Sequence, residues 1–297
     1  KGLRGPCVST PRTPFYALVK SSGSSEKENQ SAGGSFGIGK SAVYAASDLQ
    51  TALYSTVYQC TETGEPKFLC QAKTKFRSHI GEDGNAYRSK GYWGNPDGYL
   101  PVESHEDVPE WARRERQGTS VYALGVRDSQ DWKDRLVCSI IVNFYGAISK
   151  GEMELLVEGQ VINKSTLLSL FENTSMREHA RTYEDFDMAK LALECLTSPT
   201  LTEEFEIQDI GRFRLNLLMQ DALPKRVIIL RNGMMVCSEL GHFGDKLQRF
   251  SLHRDFIAVL EPIESIDDTT NSSEWMRRLE NPRHDELSPE RLSKEAE

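Results

Sequence analysis

The sequence predicts an α+β protein with mainly antiparallel sheet, organised as two successive domains. Residues 55–76 contain two runs rich in β-branched and aromatic residues around a Thr-Gly-Glu-Pro turn, which is typical of a hairpin. Residues 129–150 repeat apolar side chains at helical spacing. Residues 225–237 place Asn232-Gly233, the strongest two-residue hairpin signal, between two apolar runs.

The composition fits a soluble, globular protein. A chain of 297 residues is long enough for two domains, and no stretch approaches the roughly 20 apolar residues that cross a membrane. The net charge of −8 argues against a protein that coats nucleic acid. Six scattered cysteines without metal-ligand spacing indicate reduced thiols. We therefore expect a cytoplasmic protein with no structural metal, no membrane segment and no support for nucleic-acid binding.

The segment GGSFGIGKSA at residues 33–42 matches two kinds of phosphate-binding loop. From Gly34 to Ser41 its letters fit the Walker A pattern of P-loop nucleotide hydrolases. A Walker A loop follows a buried parallel strand, whereas residues 20–32 are polar. A P-loop enzyme also needs an apolar strand that ends in a magnesium-binding Asp. None of the candidate apolar runs ends in Asp; these runs are residues 138–145, 226–232 and 255–261. The P-loop alternative is therefore disfavoured against a glycine-rich lid over ATP.

A helix is predicted directly behind the loop, at residues 41–53. Backbone amides of a glycine-rich loop at a helix N-terminus bind phosphate oxygens, and glycine lets the backbone approach the anion closely. We expect the amides of Gly37, Ile38 and Gly39 at the phosphates, with Lys40 nearby. Gly34, Ser35 and Phe36 complete the predicted phosphate-binding loop.

The residues around this loop resemble the lid region of the GHKL superfamily. That superfamily includes gyrase, histidine kinases and the ninety-kilodalton heat-shock chaperones, and the chaperone-like branch is the most similar. Gly23-Ser24-Ser25 with Lys27 matches the start of the lid, and Gly34–Gly39 (GSFGIG) matches the glycine loop. Further on, the run QGTSVYAL at 117–124 resembles the strand that opens with Gly-Thr in the family. The family's adenine-holding threonine corresponds to Thr119.

The resemblance implies a domain plan for the first half of the chain. Residues 1–150 correspond to the later part of a Bergerat-type two-layer α/β sandwich that binds ATP and Mg²⁺. Its parts are the lid (20–40), the hairpin (55–76), an insertion (77–118) that we expect to pack on its own domain, and the last strand (119–127).

The resemblance also implies that part of the ATP site lies elsewhere. In the family order, the general base, the magnesium-binding Asn and the adenine-reading Asp precede the lid, so we expect them upstream of Lys1. No Asp-x-Gly-x-Gly occurs in the sequence. Both ends of the chain look cut. We expect this chain alone to bind ATP poorly and to hydrolyse little.

A second, transducer-like α+β domain is predicted at residues 151–265, followed by a polar connector at 266–297. In the family, such a domain sends one basic residue to the γ-phosphate, where a cation stabilises developing charge. Arg231, beside the hairpin turn, is the candidate catalytic residue, with Lys225 second. The resemblance implies ATP-driven conformational switching in a homodimer or with a partner protein. The alternative is a module that senses nucleotide, or serves a structural role, without hydrolysis.

Overall fold

The computed structural model describes residues 13–21, 39–60, 63–127, 130–238, 240, 243, 250, 252–263, 272–281 and 286–291. These residues form two compact units, one up to residue 127 and one from residue 130. Each unit has its own sheet, and antiparallel pairing predominates in both. The predicted mixed α+β class with mainly antiparallel sheet is confirmed.

The first unit is built on a four-stranded antiparallel sheet in the order β5-β2-β1-β6. A short π-helix, Tyr16–Lys20, precedes the sheet. The other elements are, in chain order, α1 (Ala42–Ala45), β1 (Ser47–Gln59), β2 (Pro66–Lys75), β3 (His79–Ile80), β4 (Ala86–Tyr87), β5 (Lys90–Trp93) and β6 (Gly118–Val126). Strands β1 and β2 form an antiparallel hairpin, and β6 pairs with the other side of β1.

The helix predicted at 41–53 is wrong over most of its length. Helix α1 is only four residues long, and the chain becomes strand at Ser47. The Ser47 hydroxyl donates to the Leu124 carbonyl and accepts from the Thr51 amide at 3.1 Å, while the pairing with β6 bulges between these two residues. Because β1 pairs with β2 on one side and β6 on the other, tertiary strand pairing overrides the local preference for helix.

The two faces of the first sheet are covered differently. The predicted insertion packs on one face, where Val102, Val108 and Ala112 contact the apolar side chains of β1 and β2. The π-helix contributes Phe15 and Val19 to the other face. This second face also carries the polar residues described in the next subsection.

The second unit has a five-stranded sheet in the order β12-β11-β13-β10-β9, in which only β11 and β13 are parallel. Its helices are α2 (Trp132–Lys150), α3 (Leu167–Glu172), α4 (Thr174–Glu178), α5 (Tyr183–Thr197) and α6 (Ser272–Leu279). Its strands are β7 (Leu155–Val157), β8 (Gln160–Ile162), β9 (Leu201–Ile207), β10 (Gly211–Met219), β11 (Arg226–Arg231), β12 (Met234–Cys237) and β13 (Phe256–Ile263). Helices α2 and α5 share a core with one sheet face, and α6 packs on the other.

Helix α2 belongs to the second unit, which places the division of the chain before this helix rather than after it. The physical reason is its wide apolar stripe. Ile141, Tyr145 and Ile148 are fully buried in the core that α2 shares with α5 and the second sheet. The helix ends as predicted at Gly151, whose φ of 76° is left-handed and whose amide donates to the last turn.

The predicted turn of the β11–β12 hairpin is docked against α2. Asn232 and Gly233 both have positive φ, 52° and 67°, as a type I′ turn requires. The Ala147 amide donates to the Gly233 carbonyl at 3.0 Å. A Cβ added to Gly233 would lie 2.2 Å from the Ala147 backbone nitrogen, and one added to Gly146 would lie 2.7 Å from the Gly233 oxygen. The helix and the turn therefore meet backbone to backbone.

We expect Gly233→Ala to lower the free energy of unfolding by about 1–3 kcal/mol more than Gly159→Ala. Both glycines have positive φ, but a Cβ on Gly159 would meet nothing within 4 Å. The two substitutions share the left-handed backbone penalty, so their difference isolates the close contact with α2. Urea denaturation of both variants measures it. Equal losses of unfolding free energy in the two variants would show that the helix and the turn can separate slightly without loss of stability.

Candidate functional site

The structure describes some of the predicted site residues and not others. Gly34, Ser35, Phe36, Gly37 and Ile38 lie outside the described residues. Gly39 and Lys40 form a single 3-10 turn with Ser41 that leads into α1. Thr119 lies in β6 and Arg231 ends β11, so these two residues belong to different units.

Thr119 shares one face of the first sheet with a row of polar side chains. Residues that are directly paired across antiparallel strands point to the same face. Thr56 pairs with Thr119 and Ala52 pairs with Lys73, and β1 residues two apart also share this face. We call it the polar face of the first sheet. Besides Thr119 and Thr56, its polar residues are Tyr54, Tyr58, Lys67, Gln71, Lys73, Lys75, Lys90 and Tyr92.

At one end of the polar face, three lysines donate hydrogen bonds to residues that precede or follow the glycine-rich segment in the sequence. Lys40 Nζ donates to the Ala17 carbonyl at 2.7 Å, and Lys73 Nζ donates to the Val19 carbonyl at 2.5 Å. Lys75 Nζ donates to the hydroxyl of Ser41 at 3.1 Å. Cations near the C-terminal carbonyls of a helix are favourable, which explains the first two contacts. The lysines thus tie the π-helix, the turn that contains Lys40, and β2 together.

Aromatic rings accommodate part of this charge. Lys75 Nζ lies 4.1 Å from the centre of the Tyr44 ring, and Lys20 Nζ lies 3.8 Å from that of Tyr92. The faces of aromatic rings attract cations. Tyr44 is itself buried and its hydroxyl lies 3.1 Å from that of Tyr54. The tyrosine rings therefore provide apolar contacts and also stabilise the nearby lysine charges.

The lysines act against one another electrostatically. Burial, together with the charges of Lys90, Lys75, Lys40 and Lys20, lowers the pKa of Lys73 to about 8. Burial is also the main cause of the lowered pKa values of Lys40 and Lys75. The charged side chains that act on Lys73 are all lysines. A bound anion would relieve this repulsion, because an opposite charge favours the protonated form of each amine.

At the other end of the polar face, two threonines meet. The Thr56 and Thr119 hydroxyl oxygens are 3.0 Å apart, and the Thr56 hydroxyl also donates to the Gly118 carbonyl at 3.0 Å. Val121, two residues beyond Thr119 on the same strand, is 49% exposed. The face is therefore accessible beside Thr119, which is half-buried, whereas Thr56 is fully buried. Thr56 was missed in the sequence analysis, because only the strand register reveals that it adjoins Thr119.

Gln71 lies between the threonines and the lysines and was also missed. It is fully buried and pairs with Tyr54 across β1 and β2. Its amide nitrogen donates to the Tyr99 carbonyl at 2.8 Å, while its carbonyl oxygen has no hydrogen-bond partner among the described residues. A buried, unpaired acceptor is costly, and a ligand that donates a hydrogen bond would satisfy it.

Arg231 is buried in the second unit rather than presented at a hairpin tip. Its side chain is 1% exposed and forms a bidentate ion pair with Glu280, which is itself fully buried just after α6. The Nη2–Oε2 distance is 2.9 Å. The second candidate, Lys225, donates to the His253 carbonyl at 2.7 Å. Two of the three guanidinium nitrogens of Arg231 are thus engaged by Glu280, and the third, Nη1, is buried without a hydrogen-bond partner among the described residues.

The described residues do not fit a metal site. Within the ranges that the structure describes, no group of three or more His, Cys, Asp or Glu side chains is placed to hold a metal ion. The polar face supplies amines, hydroxyls and an amide, which are poor ligands for Mg²⁺. Among the described helices, none is both long and apolar enough to cross a membrane.

Comparison with known proteins finds similarity among solved structures. No protein-family model matches the chain, and no curated protein matches it. Among solved structures, the chain is similar to the ATPase region of topoisomerase II from Saccharomyces cerevisiae, with a TM-score of 0.40 and 10% sequence identity. The match covers 92% of this chain, and the chain spans 65% of the length of that structure. A likeness at this level does not identify a family.

We expect the wild-type protein to gain stability relative to Lys73→Met as the pH rises from 8 to 10. The unfolded chain keeps the Lys73 proton up to the ordinary pKa of 10.5, whereas the folded chain releases it near pH 8. Between these values the unfolded state binds more protons, so stability rises with pH. Urea denaturation at pH 8, 9 and 10 measures the difference, with Lys67→Met, an exposed lysine of the same strand, as the control. A constant difference between wild type and Lys73→Met would contradict this assignment.

Proposed function

We propose that the polar face of the first sheet binds ATP, with the adenine near Thr119 and the triphosphate near Lys40, Lys73 and Lys75. One observation carries the proposal: a hydroxyl pair and a lysine cluster lie on the same face of one sheet. Thr56 and Ala52, which pair with Thr119 and Lys73, are four residues apart on β1. Four residues of strand span about 13 Å. That separation is comparable with the length of a nucleoside triphosphate.

Each part of the polar face has chemistry suited to one part of the nucleotide. Lysine ammonium groups are compact charges that bind phosphate oxygens, and the glycine-rich loop next to Lys40 would add backbone amides. The unpaired Gln71 oxygen lies between the two ends, where a ribose hydroxyl could donate to it. The Thr56–Thr119 pair offers hydroxyls for the polar edge of a purine.

In this proposal, the chain is the lid-bearing and transducer-like part of a GHKL-type ATPase of the chaperone-like branch. ATP binding would drive a change of shape, acting in a cytoplasmic homodimer or with a partner protein. The resemblance of the glycine loop and of the strand around Thr119 supports this proposal. The residues described here supply no ligand set for Mg²⁺, so no step of hydrolysis is assigned to them.

One observation favours the alternative of a nucleotide-sensing module that does not hydrolyse ATP. The predicted catalytic residue, Arg231, is held by Glu280 with both side chains almost completely buried. Opening such a buried ion pair separates two opposite charges, which costs several kcal/mol. A module that only binds nucleotide has no need of this arginine at the γ-phosphate.

We expect Gly37→Ala/Gly39→Ala to abolish ATP binding, because each added methyl group would keep the backbone away from the phosphates. Gly39→Ala alone is the sharper test. A Cβ on Gly39 would meet nothing within 4 Å, so the fold tolerates it. Calorimetry with ATP, on this chain and on the longest natural form of the protein, should show weaker binding at an unchanged melting temperature. Unchanged affinity would refute the phosphate loop.

If Arg231 acts at the γ-phosphate, Arg231→Ala should keep near-normal nucleotide affinity and lose most of the turnover. One preorganised cation contributes about 2–4 kcal/mol to the transition state, or a hundredfold in rate and more. Steady-state ATPase activity and equilibrium binding are measured on the same preparation.

The single variant removes the arginine that neutralises the buried Glu280, so a second variant is needed as a control for folding. Arg231→Ala/Glu280→Ala removes both charges of the buried ion pair. Loss of turnover in a folded double variant supports the catalytic role. Wild-type turnover in that variant makes Arg231 a structural residue and supports the sensing module.

A further inference from the structure

Strand β9 forms one edge of the second sheet and is exposed over its whole length. It pairs with β10 on one side, and on the other side no described strand pairs with it. All seven of its residues are exposed. The amide and carbonyl groups along a free edge can receive another strand. The sequence analysis did not identify this strand, because its glutamates interrupt the apolar pattern.

One face of β9 is mainly apolar, with Glu203 as its charged residue. Leu201, Phe205 and Ile207 share this face and are 52%, 38% and 42% exposed. The Phe205 ring stacks on that of Phe213 in β10, with centroids 6.0 Å apart. Leu201 pairs with Leu217, which extends the apolar surface into the sheet. Large apolar side chains on an accessible strand edge offer contacts to the alternate side chains of an added strand.

The same strand is acidic. Glu204 is engaged by Arg212 at 3.2 Å and Arg214 at 2.7 Å. Glu203 and Glu206 form no ion pair with any described residue and are exposed. A strand added to this edge would therefore meet two glutamates that form no ion pair among the described residues, Glu203 on one face of the sheet and Glu206, opposite Arg212, on the other.

These glutamates disfavour pairing of β9 with a second copy of itself. An antiparallel pair that keeps the apolar faces together can be centred on Glu203, Glu204 or Phe205. The first two registers place a glutamate directly opposite its own copy. The third places Glu204 opposite Glu206. Like charges directly opposite one another on paired strands are destabilising.

We propose that the free edge of β9 binds an extended, basic segment of another protein, which adds a strand to the second sheet. The backbone edge supplies hydrogen bonds. The apolar side chains of β9 select apolar side chains at alternate positions of the added strand. Glu206, on the opposite face, selects lysine or arginine at the positions between them, and Glu203 selects one further basic side chain within the apolar row. This interaction does not depend on nucleotide, since β9 lies in the second unit and shares no residue with the polar face of the first.

The proposal is tested with a fluorescent seven-residue peptide of alternating lysine and valine, the length of β9. It should bind the full chain in a saturable manner by fluorescence anisotropy, and an alternating glutamate–valine peptide should not. Glu203→Lys/Glu206→Lys should weaken binding of the lysine–valine peptide at least about tenfold. When the valines lie on the apolar face of β9, the peptide's lysines lie on the face of Glu206, where an attractive cross-strand pair becomes repulsive. The same variant should gain binding of the glutamate–valine peptide.

Two controls separate strand addition from general charge attraction. Glu172→Lys/Glu194→Lys changes the net charge equally at exposed positions elsewhere in the second unit and should leave binding unchanged. A lysine–valine peptide with a central proline keeps its charge but cannot continue a ladder, so it should not bind. Equal loss in both double variants, or equal binding of the proline peptide, would overturn the proposal. If the lysine–valine peptide does not bind, the glutamates only prevent other strands from pairing with β9. If the protein forms a dimer that Phe205→Lys abolishes, β9 pairs with its own copy instead. Either result overturns the proposal.

Discussion

The pairing of β1 with β2 on one side and β6 on the other is the constraint on which the first unit depends. It fixes Thr56 beside Thr119 and Ala52 beside Lys73, and so decides which polar side chains share a face. Because side chains alternate along a strand, a slip of one residue would move each of them to the opposite face. The bulge near Ser47 sets this register where α1 passes into β1. The polar face is thus a consequence of strand register rather than of any contiguous motif.

The polar face is arranged at a cost to stability, which is typical of functional sites. A buried lysine surrounded by other lysines, and a buried amide oxygen without a partner, both destabilise a fold. Backbone carbonyls and tyrosine rings offset part of the cost for Lys73, Lys75 and Lys20. An apolar side chain at Lys73 or Gln71 would fill the same space without these penalties. We infer that this arrangement binds a ligand that is anionic and that also carries hydrogen-bond donors.

The second unit depends on different contacts. Its core is the apolar stripe of α2 against α5 and the sheet, and the Gly146–Gly233 approach brings the helix and the turn together backbone to backbone. On the opposite face, the Arg231–Glu280 pair joins β11 to the segment after α6. A buried ion pair contributes little net stability but strongly penalises alternatives that separate its partners. It therefore fixes where that segment lies on the sheet.

The sequence by itself determined the features that local patterns encode. Helix α2 follows from its periodic apolar residues and ends at Gly151, and both hairpins follow from their turn residues. The mainly antiparallel α+β class follows from these elements. Local patterns failed where pairing with distant strands decided the outcome. Residues 47–53 have helix-forming composition but lie in a strand, and β9 has an irregular pattern but is held by β10.

Only the tertiary structure decided which residues meet. Lys40 and Thr119 were identified from motifs, but the neighbours Thr56, Gln71 and Lys73 come from other strands and carry no local signature. The sequence placed Arg231 beside a turn, and the fold buried it against Glu280, 49 residues further along the chain. The physical reason is the same in each case. Secondary structure reflects neighbours in sequence, whereas burial, ion pairing and shared sheet faces arise from contacts between residues far apart in the chain.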